Sequence, residues 1–245
     1  MKILVLISNV PDTTTKVKFK DNKFDTTGVQ WIINPWDELA LTRALELKKA
    51  SNGKIEKVAV AMVAPKSAEP TIRKALAMGA DEAYRIDTEP KDSYSTAAEL
   101  AEALKDKDFD LIMAGLESSD YNGLSVGAML AELLGINSVS AVSGLDFDGE
   151  KFIVKRDIEG GYEKLTVQTP FVAVVQKGIA IVPLIPNMRG IMMAKRKPIH
   201  VIEAKGIEPL VEMVEFELPK PKPPVKLVET AEELINLLHN EAKVI

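Results

Sequence analysis

The chain has 245 residues, 46% of them hydrophobic and 27% charged, with a formal net charge of −5. That is enough apolar material for a full core, in one large domain or one domain with an appendage. The negative balance disfavours non-specific nucleic-acid binding, and no apolar run approaches the roughly 18 residues that span a bilayer. Neither nucleic acid nor membrane insertion is expected. There is no cysteine, which excludes disulfides, thiolate metal sites, iron–sulfur ligation and cysteine nucleophiles. The apolar start MKILVLISNVPD is too short for a signal peptide and lacks a small-residue cleavage site, so a cytoplasmic location is expected.

In chain order, Lys2 to Ile7 reads as a strand, followed by a hairpin-like excursion from Lys16 to Gly28. Asn34-Pro35 opens a helix with proline at its first position, apolar residues Leu39, Leu41, Ala44, Leu45 and Leu47 recurring along it, and Lys48 and Lys49 at its end. Val58 to Val63 is a buried strand. A helix capped at Ser67 or its neighbours runs to Met78, where Gly79 stops it. Glu82 to Ile86 is the next strand, Ser95 to Lys105 a helix, and Leu111 to Ala114 a further strand. Strands alternating with helices at this spacing predict an α/β fold built on a doubly wound, mostly parallel, Rossmann-like sheet.

The stretch from Asp110 to Gly135 is the most informative. A short buried strand feeds a Ser/Asp/Asn/Gly loop, and a helix follows from Leu124 or Ser125 with Val126, Met129, Leu130, Leu133 and Leu134 on one face. Loops at the carboxyl ends of such strands hold phosphates, because free N–H groups and the helix dipole favour an anion. An ordinary βα turn with good capping residues is the competing reading. Asp120 either caps the helix or orders the loop; a carboxylate would repel a phosphate, so direct contact is not assigned. The chain has none of the nucleophile-elbow, P-loop or G-x-G-x-x-G motifs. Its two histidines, His200 and His239, are expected at element ends or on solvated faces. With so few reactive side chains, the chemistry is expected from a cofactor or partner.

Beyond Gly135 the pattern becomes antiparallel: Ser138 to Leu145, Lys151 to Ile158 and Glu163 to Val167 read as strands turning at Asp148-Gly149 and Gly160-Gly161, with a buried strand at Phe171 to Gln176. Lys177 to Met193 has little periodicity. Leu218 to Val225 is proline-rich and extended, and Thr230-x-x-Glu233 opens a short amphipathic helix. The predicted division is an α/β domain over residues 1–205 and an extended C-terminal arm over 206–245, lying on this subunit's core or on a partner.

Several stretches together resemble the beta subunit of electron transfer flavoproteins. They are Asn34-Pro35-Trp36-Asp37-Glu38, the helix from Thr71 to Asp81, the loop from Glu117 to Gly127, the run from Lys155 to Leu165 with Pro170, and the basic segment from Met192 to Lys197. The resemblance covers nearly the whole chain. It implies an adenine-nucleotide-binding α/β domain in a heterodimer whose alpha subunit holds the redox-active FAD. The beta subunit helps to enclose that flavin and binds a second nucleotide. AMP is the expected occupant; a second FAD occupies that place in flavin-bifurcating members. By position, Leu6, Asn34, Pro35, Trp36, Asp37 and Val63 would surround the adenosine. Ser118, Ser119, Asp120, Asn122, Gly123, Leu124, Ser125 and Val126, with Gly127, would form the phosphate loop. Val126 resembles the bifurcating form, whereas Asn122-Gly123-Leu124 matches neither form cleanly.

The resemblance also places a recognition loop at residues 177–190, which in the family anchors acyl-CoA and other flavin dehydrogenases transiently through an apolar side chain. Ile181, Val182 and Leu184 are the candidates, with Leu184 the first choice; the competing role is packing on the alpha subunit. The implied function is a carrier, not a hydrolase, moving electrons from flavin dehydrogenases of the kind used in fatty acid oxidation to a quinone-linked oxidoreductase. A stand-alone adenine-nucleotide-binding module is the alternative.

Overall fold

The computed structural model describes residues 1–21 and 23–245. They fall into two compact units, Met1–Val17 with Thr26–Val214, and Lys18–Asp25 with Glu215–Ile245. The elements in chain order are β1 (Lys2–Leu6), β2 (Asn9–Pro11), β3 (Phe19–Lys20), β4 (Lys23–Phe24), β5 (Trp31–Ile33), α1 (Pro35–Ala50), β6 (Lys57–Val63), α2 (Glu69–Met78), β7 (Glu82–Asp87), α3 (Ser93–Leu104), β8 (Leu111–Gly115), α4 (Val126–Leu134), β9 (Asn137–Phe147), β10 (Phe152–Ile158), β11 (Gly161–Val167), β12 (Phe171–Val175), α5 (Met188–Ala194), β13 (Ile199–Glu203) and α6 (Ala231–Leu237).

The first unit is built on one sheet in the order β11-β10-β9-β12-β8-β1-β6-β7-β13. From β9 through β13 every neighbouring pair is parallel; β10 and β11 extend one edge antiparallel. Period-two alternation sends successive side chains to opposite faces. Ile3, Val5, Val58, Val60 and Met113 join one core with Leu41 and Ala44 of α1 and Ile72 and Leu76 of α2. Leu4, Leu6, Ala59, Ala61 and Ile112 join the other with Leu100 and Leu104 of α3 and Leu130 of α4. Helices on both faces of a largely parallel sheet make the doubly wound α/β fold that the sequence predicts.

Several expectations are corrected. The strand predicted at Ser138 to Leu145 is antiparallel only to β10; on its other side it runs parallel to β12. Edge strand β13 forms where the sequence gives no clear period; its second residue, the exposed His200, stacks on Tyr84 at 5.2 Å. The N-cap position of α2 falls on Ala68, the neighbour of Ser67, with no side-chain capping bond, and Ser67 itself lies in a 3-10 turn, Lys66–Ala68, ahead of the helix. Helix α3 starts two residues before Ser95, because Asp92 accepts from Ser95 N at 2.7 Å and Ser95 Oγ answers to Asp92 N, a reciprocal cap. The loop from Lys177 to Met193 ends in α5, capped by Asn187 accepting from Gly190 N at 2.8 Å. Leu133, expected on the apolar face of α4, is exposed.

In the second unit β3 and β4 pair as a small antiparallel hairpin, and Phe19 stacks on Phe216 at 5.3 Å. Residues from Glu217 to Val228 form neither helix nor strand. Thr230 Oγ1 then accepts from Glu233 N while Glu233 accepts from Glu229 N, which starts α6. A π-helical turn, Leu238–Ala242, carries the helical path past α6 and contains His239.

Candidate functional site

Strand β1 lies between β6 and β8. The chain leaves β1 towards β6 and β7, then returns through α3 to β8 on the other side. This reversal opens a crevice at the carboxyl ends of the strands, where open α/β sheets place ligands. Leu6, Val63 and Gly115 end these three strands, and α1 starts directly beside them.

Two residues at the start of α1 tie the crevice together. Asp37, 4% exposed, accepts from Ser8 N at 2.8 Å and Ser8 Oγ at 2.6 Å on one oxygen, and from Gly115 N at 3.1 Å on the other. Asn34, 1% exposed, donates from Nδ2 to Glu117 O at 2.8 Å and accepts on Oδ1 from Ser119 N at 3.1 Å. The loops after β1 and β8 are thus both keyed to one turn of helix. Burial pushes the Asp37 carboxyl up to about 6 against the opposing pull of the Ser8 and Gly115 donors. Pro35 and Trp36 are half-buried between these two anchors.

The loop from Leu116 to Ser125 is shaped by its own backbone. Asn122 takes a left-handed conformation, φ 52°, and its N–H donates to Ser118 O at 2.8 Å, a conformation that asparagine tolerates better than most residues. Ser119 Oγ is buried with no hydrogen-bond partner, an expensive state for a hydroxyl. Asp120 does not cap α4, as it was one reading that it would: its Oδ1 accepts from the N–H of Tyr121 next to it at 2.9 Å. Ser125 holds the N-cap position without a side-chain capping bond, so the first-turn N–H groups of α4 have no partner within the helix. Gly127 brings α4 onto the sheet, since a Cβ there would stand 2.8 Å from Val174 Cγ2. Gly123 and Leu124 complete the loop, with Leu124 exposed.

Asn34 therefore joins the expected adenosine residues to the expected phosphate loop. The sequence reading missed Ser8, the main partner of Asp37. Its only signal there was a hydroxyl residue one position past the end of the first strand.

The 177–190 loop is fixed at its base and free at its tip. Ile179 and Ala180 are buried, whereas Ile181 is 98% and Ile185 87% exposed, Val182 67% and Leu184 38%. Leu184 N donates to Thr42 Oγ1 of α1 at 3.0 Å. Leu184 also lines a groove of about 250 Å³ with Met78, Asn187, Arg189 and Met193.

Residues 21–206 match the model of the electron transfer flavoprotein domain. The electron transfer flavoprotein subunit beta of Bacillus subtilis is 36% identical over 261 residues, covering the whole of both chains. The chain belongs to the electron transfer flavoprotein family, as a beta-subunit type. The mitochondrial subunit beta of Arabidopsis thaliana is 32% identical, again over both whole chains. The caffeyl-CoA reductase-Etf complex subunit CarD of Acetobacterium woodii is 35% identical over 82% of this chain and 78% of its own.

The remaining stretches that carry the resemblance to electron transfer flavoproteins have structural partners. Arg156 and Glu163 face each other across β10 and β11, their charges 3.9 Å apart, and Lys155 lies over the Tyr162 ring at 4.5 Å. Glu159 is exposed in the turn between these strands. The basic segment is divided: Lys195 and Arg196 are exposed, but Lys197 Nζ donates to Leu76 O and Ala80 O at the end of α2. No helix among the described residues is long and apolar enough to cross a membrane.

Proposed function

We propose that this chain pairs with an alpha subunit that holds FAD, and that it seats the phosphate of an adenine nucleotide, AMP, on residues Ser118 to Val126. The observation that supports this most is the clamp of Asn34 and Asp37, which ties the β8 loop to the start of α1 at the switch point. The donor set suits an anion: first-turn N–H groups of α4 lack helical partners, and Ser119 Oγ is buried without one. The loop contains no lysine or arginine, so backbone dipoles would do the binding. Leu6 and Val63 supply apolar strand ends for the adenosine, with Asn34, Pro35, Trp36 and Asp37 beside them. A nucleotide that binds only the folded site stabilises it by mass action.

The alpha subunit's FAD, when bound, supplies the electron-carrying chemistry. This chain's part is to cover the flavin, to hold the structural nucleotide and to present the 177–190 loop to flavin dehydrogenases such as acyl-CoA dehydrogenases, which donate electrons for delivery to a quinone-linked oxidoreductase. The exposed loop tip fits a weak, transient contact, since a carrier must release each partner. The arm from Glu215 onward packs on the alpha subunit. Co-expression with an alpha subunit tests this. A yellow one-to-one complex, reduced by an acyl-CoA dehydrogenase and its substrate, is expected. Nucleotide turnover by the isolated chain would favour a stand-alone nucleotide-binding module instead.

A second reading has two specific supports. A relative carries the name of a caffeyl-CoA reductase complex subunit, and Val126 resembles the bifurcating form. In that reading a second FAD takes the AMP place and the loop borders a redox site.

A further inference from the structure

The segment after β13 crosses the outside of α3 as a strap held by two carboxylates. Glu99, 4% exposed, accepts from Lys205 N at 2.8 Å and Ile207 N at 2.9 Å. Asp92 accepts from Leu210 N at 2.7 Å and Val211 N at 3.2 Å on Oδ2, while its Oδ1 caps α3. Beneath the strap, Gly206 and Ile207 share a cavity of about 10 Å³ with Val63, room for about one water. The residue after Asp92 reaches the other way: a Cβ built on Gly123 of the β8 loop would stand 3.1 Å from Ser93 Oγ. One helix start therefore touches both the strap and the loop assigned to the phosphate.

We propose that Asp92 is a positioning residue that couples the seating of the 205–211 strap to the conformation of the phosphate loop, so that nucleotide binding and strap closure favour each other. This rests on the nucleotide reading given above. A seated strap holds Asp92 through Oδ2 while the helix cap holds Oδ1, and this fixes the place of Ser93 against Gly123. An ordered loop returns the effect, because coupling between two sites is reciprocal. The four strap bonds go to carboxylate oxygens, and such charge-assisted bonds are about twice as strong as neutral ones.

Asp92→Asn separates the two roles. Its carbonyl can keep the helix cap, but an amide nitrogen in place of Oδ2 meets the Leu210 and Val211 donors with a donor. Leu210→Pro removes one strap donor at an exposed position and leaves Asp92 intact. The test uses the heterodimer, with AMP as probe, and reads AMP affinity together with hydrogen exchange of residues 205–211. In the wild type, AMP should slow strap exchange. Both variants should show faster strap exchange, no response of it to AMP, and AMP affinity weakened by at least about fivefold, the lower end of ordinary coupling. Faster strap exchange with unchanged AMP affinity overturns the coupling and leaves the nucleotide reading standing. A wild-type heterodimer that binds no AMP overturns both.

Discussion

Gly115 N–H donates to Asp37 Oδ1 at 3.1 Å, and a Cβ on Gly115 would collide with that same oxygen while lying 2.7 Å from Trp36 Cβ. The end of β8 and the start of α1 thus meet at a distance that only glycine permits. Gly115→Ala should push α1 away from the strand, costing about 1–3 kcal/mol as an overpacked core does. Denaturant unfolding of the variant checks this, and nucleotide content should fall with it. Unchanged stability would mean that α1 is not held at Gly115.

Asp37 should leave a signature in the pH dependence of stability. Its carboxyl is pushed up from 3.8 to about 6 by burial, so between those values the folded chain binds more protons than the unfolded chain. The stability that it contributes is fully present below pH ~4 and is lost as the pH rises through about 6, at most about 3 kcal/mol. In Asp37→Asn that fall should vanish, leaving a flatter profile from pH 4 to 6. The variant should also be less stable at the acid end, since an amide nitrogen would face the donors of Ser8 or Gly115. Parallel unfolding profiles for the two proteins would rule out Asp37 as the titrating group.

Gly123→Val should obstruct the phosphate loop, because the added side chain starts 3.1 Å from Ser93 Oγ. Nucleotide retained through purification of the heterodimer should drop several-fold, and its melting temperature should become insensitive to added AMP. Full occupancy in the variant would place the phosphate elsewhere.

Much of this was legible in the residues because local rules and the fold agree. Pro35 at the first helical position, Gly79 at the end of α2 and the Thr230 capping box each act where the sequence places them. Strand β13 was not legible, because its five residues pair with β7 only through tertiary contact and its polar residues, His200 and Glu203, stand three apart and break the period-two pattern. The parallel pairing of β9 with β12 was hidden for a similar reason: its hairpin partner β10 is close in sequence, β12 is not. At the site, the composition of the loop was visible. The Asn34 and Asp37 hydrogen bonds were not, since each spans tens of residues.

The 177–190 loop should carry partner recognition in its tip. Leu184 was the first choice, but its backbone is tied to Thr42 and it is the least exposed of the three candidates, whereas Ile181 stands almost wholly free. Ile181→Ala is expected to slow reduction by a partner dehydrogenase by about tenfold, the effect of losing roughly 1.4 kcal/mol of contact, with Leu184→Ala slowing it less. Nucleotide and flavin content should be unchanged in both. Wild-type kinetics in both variants would assign the loop to packing on the alpha subunit.

The nucleotide content of this chain co-expressed with its alpha subunit, released by denaturation and separated by chromatography, tests the central claim most directly. One FAD and one AMP per heterodimer is the expected result and would place AMP in the β8 loop's crevice as a structural ligand. Two FAD and no AMP would contradict it and make residues Ser118 to Gly127 part of a redox site.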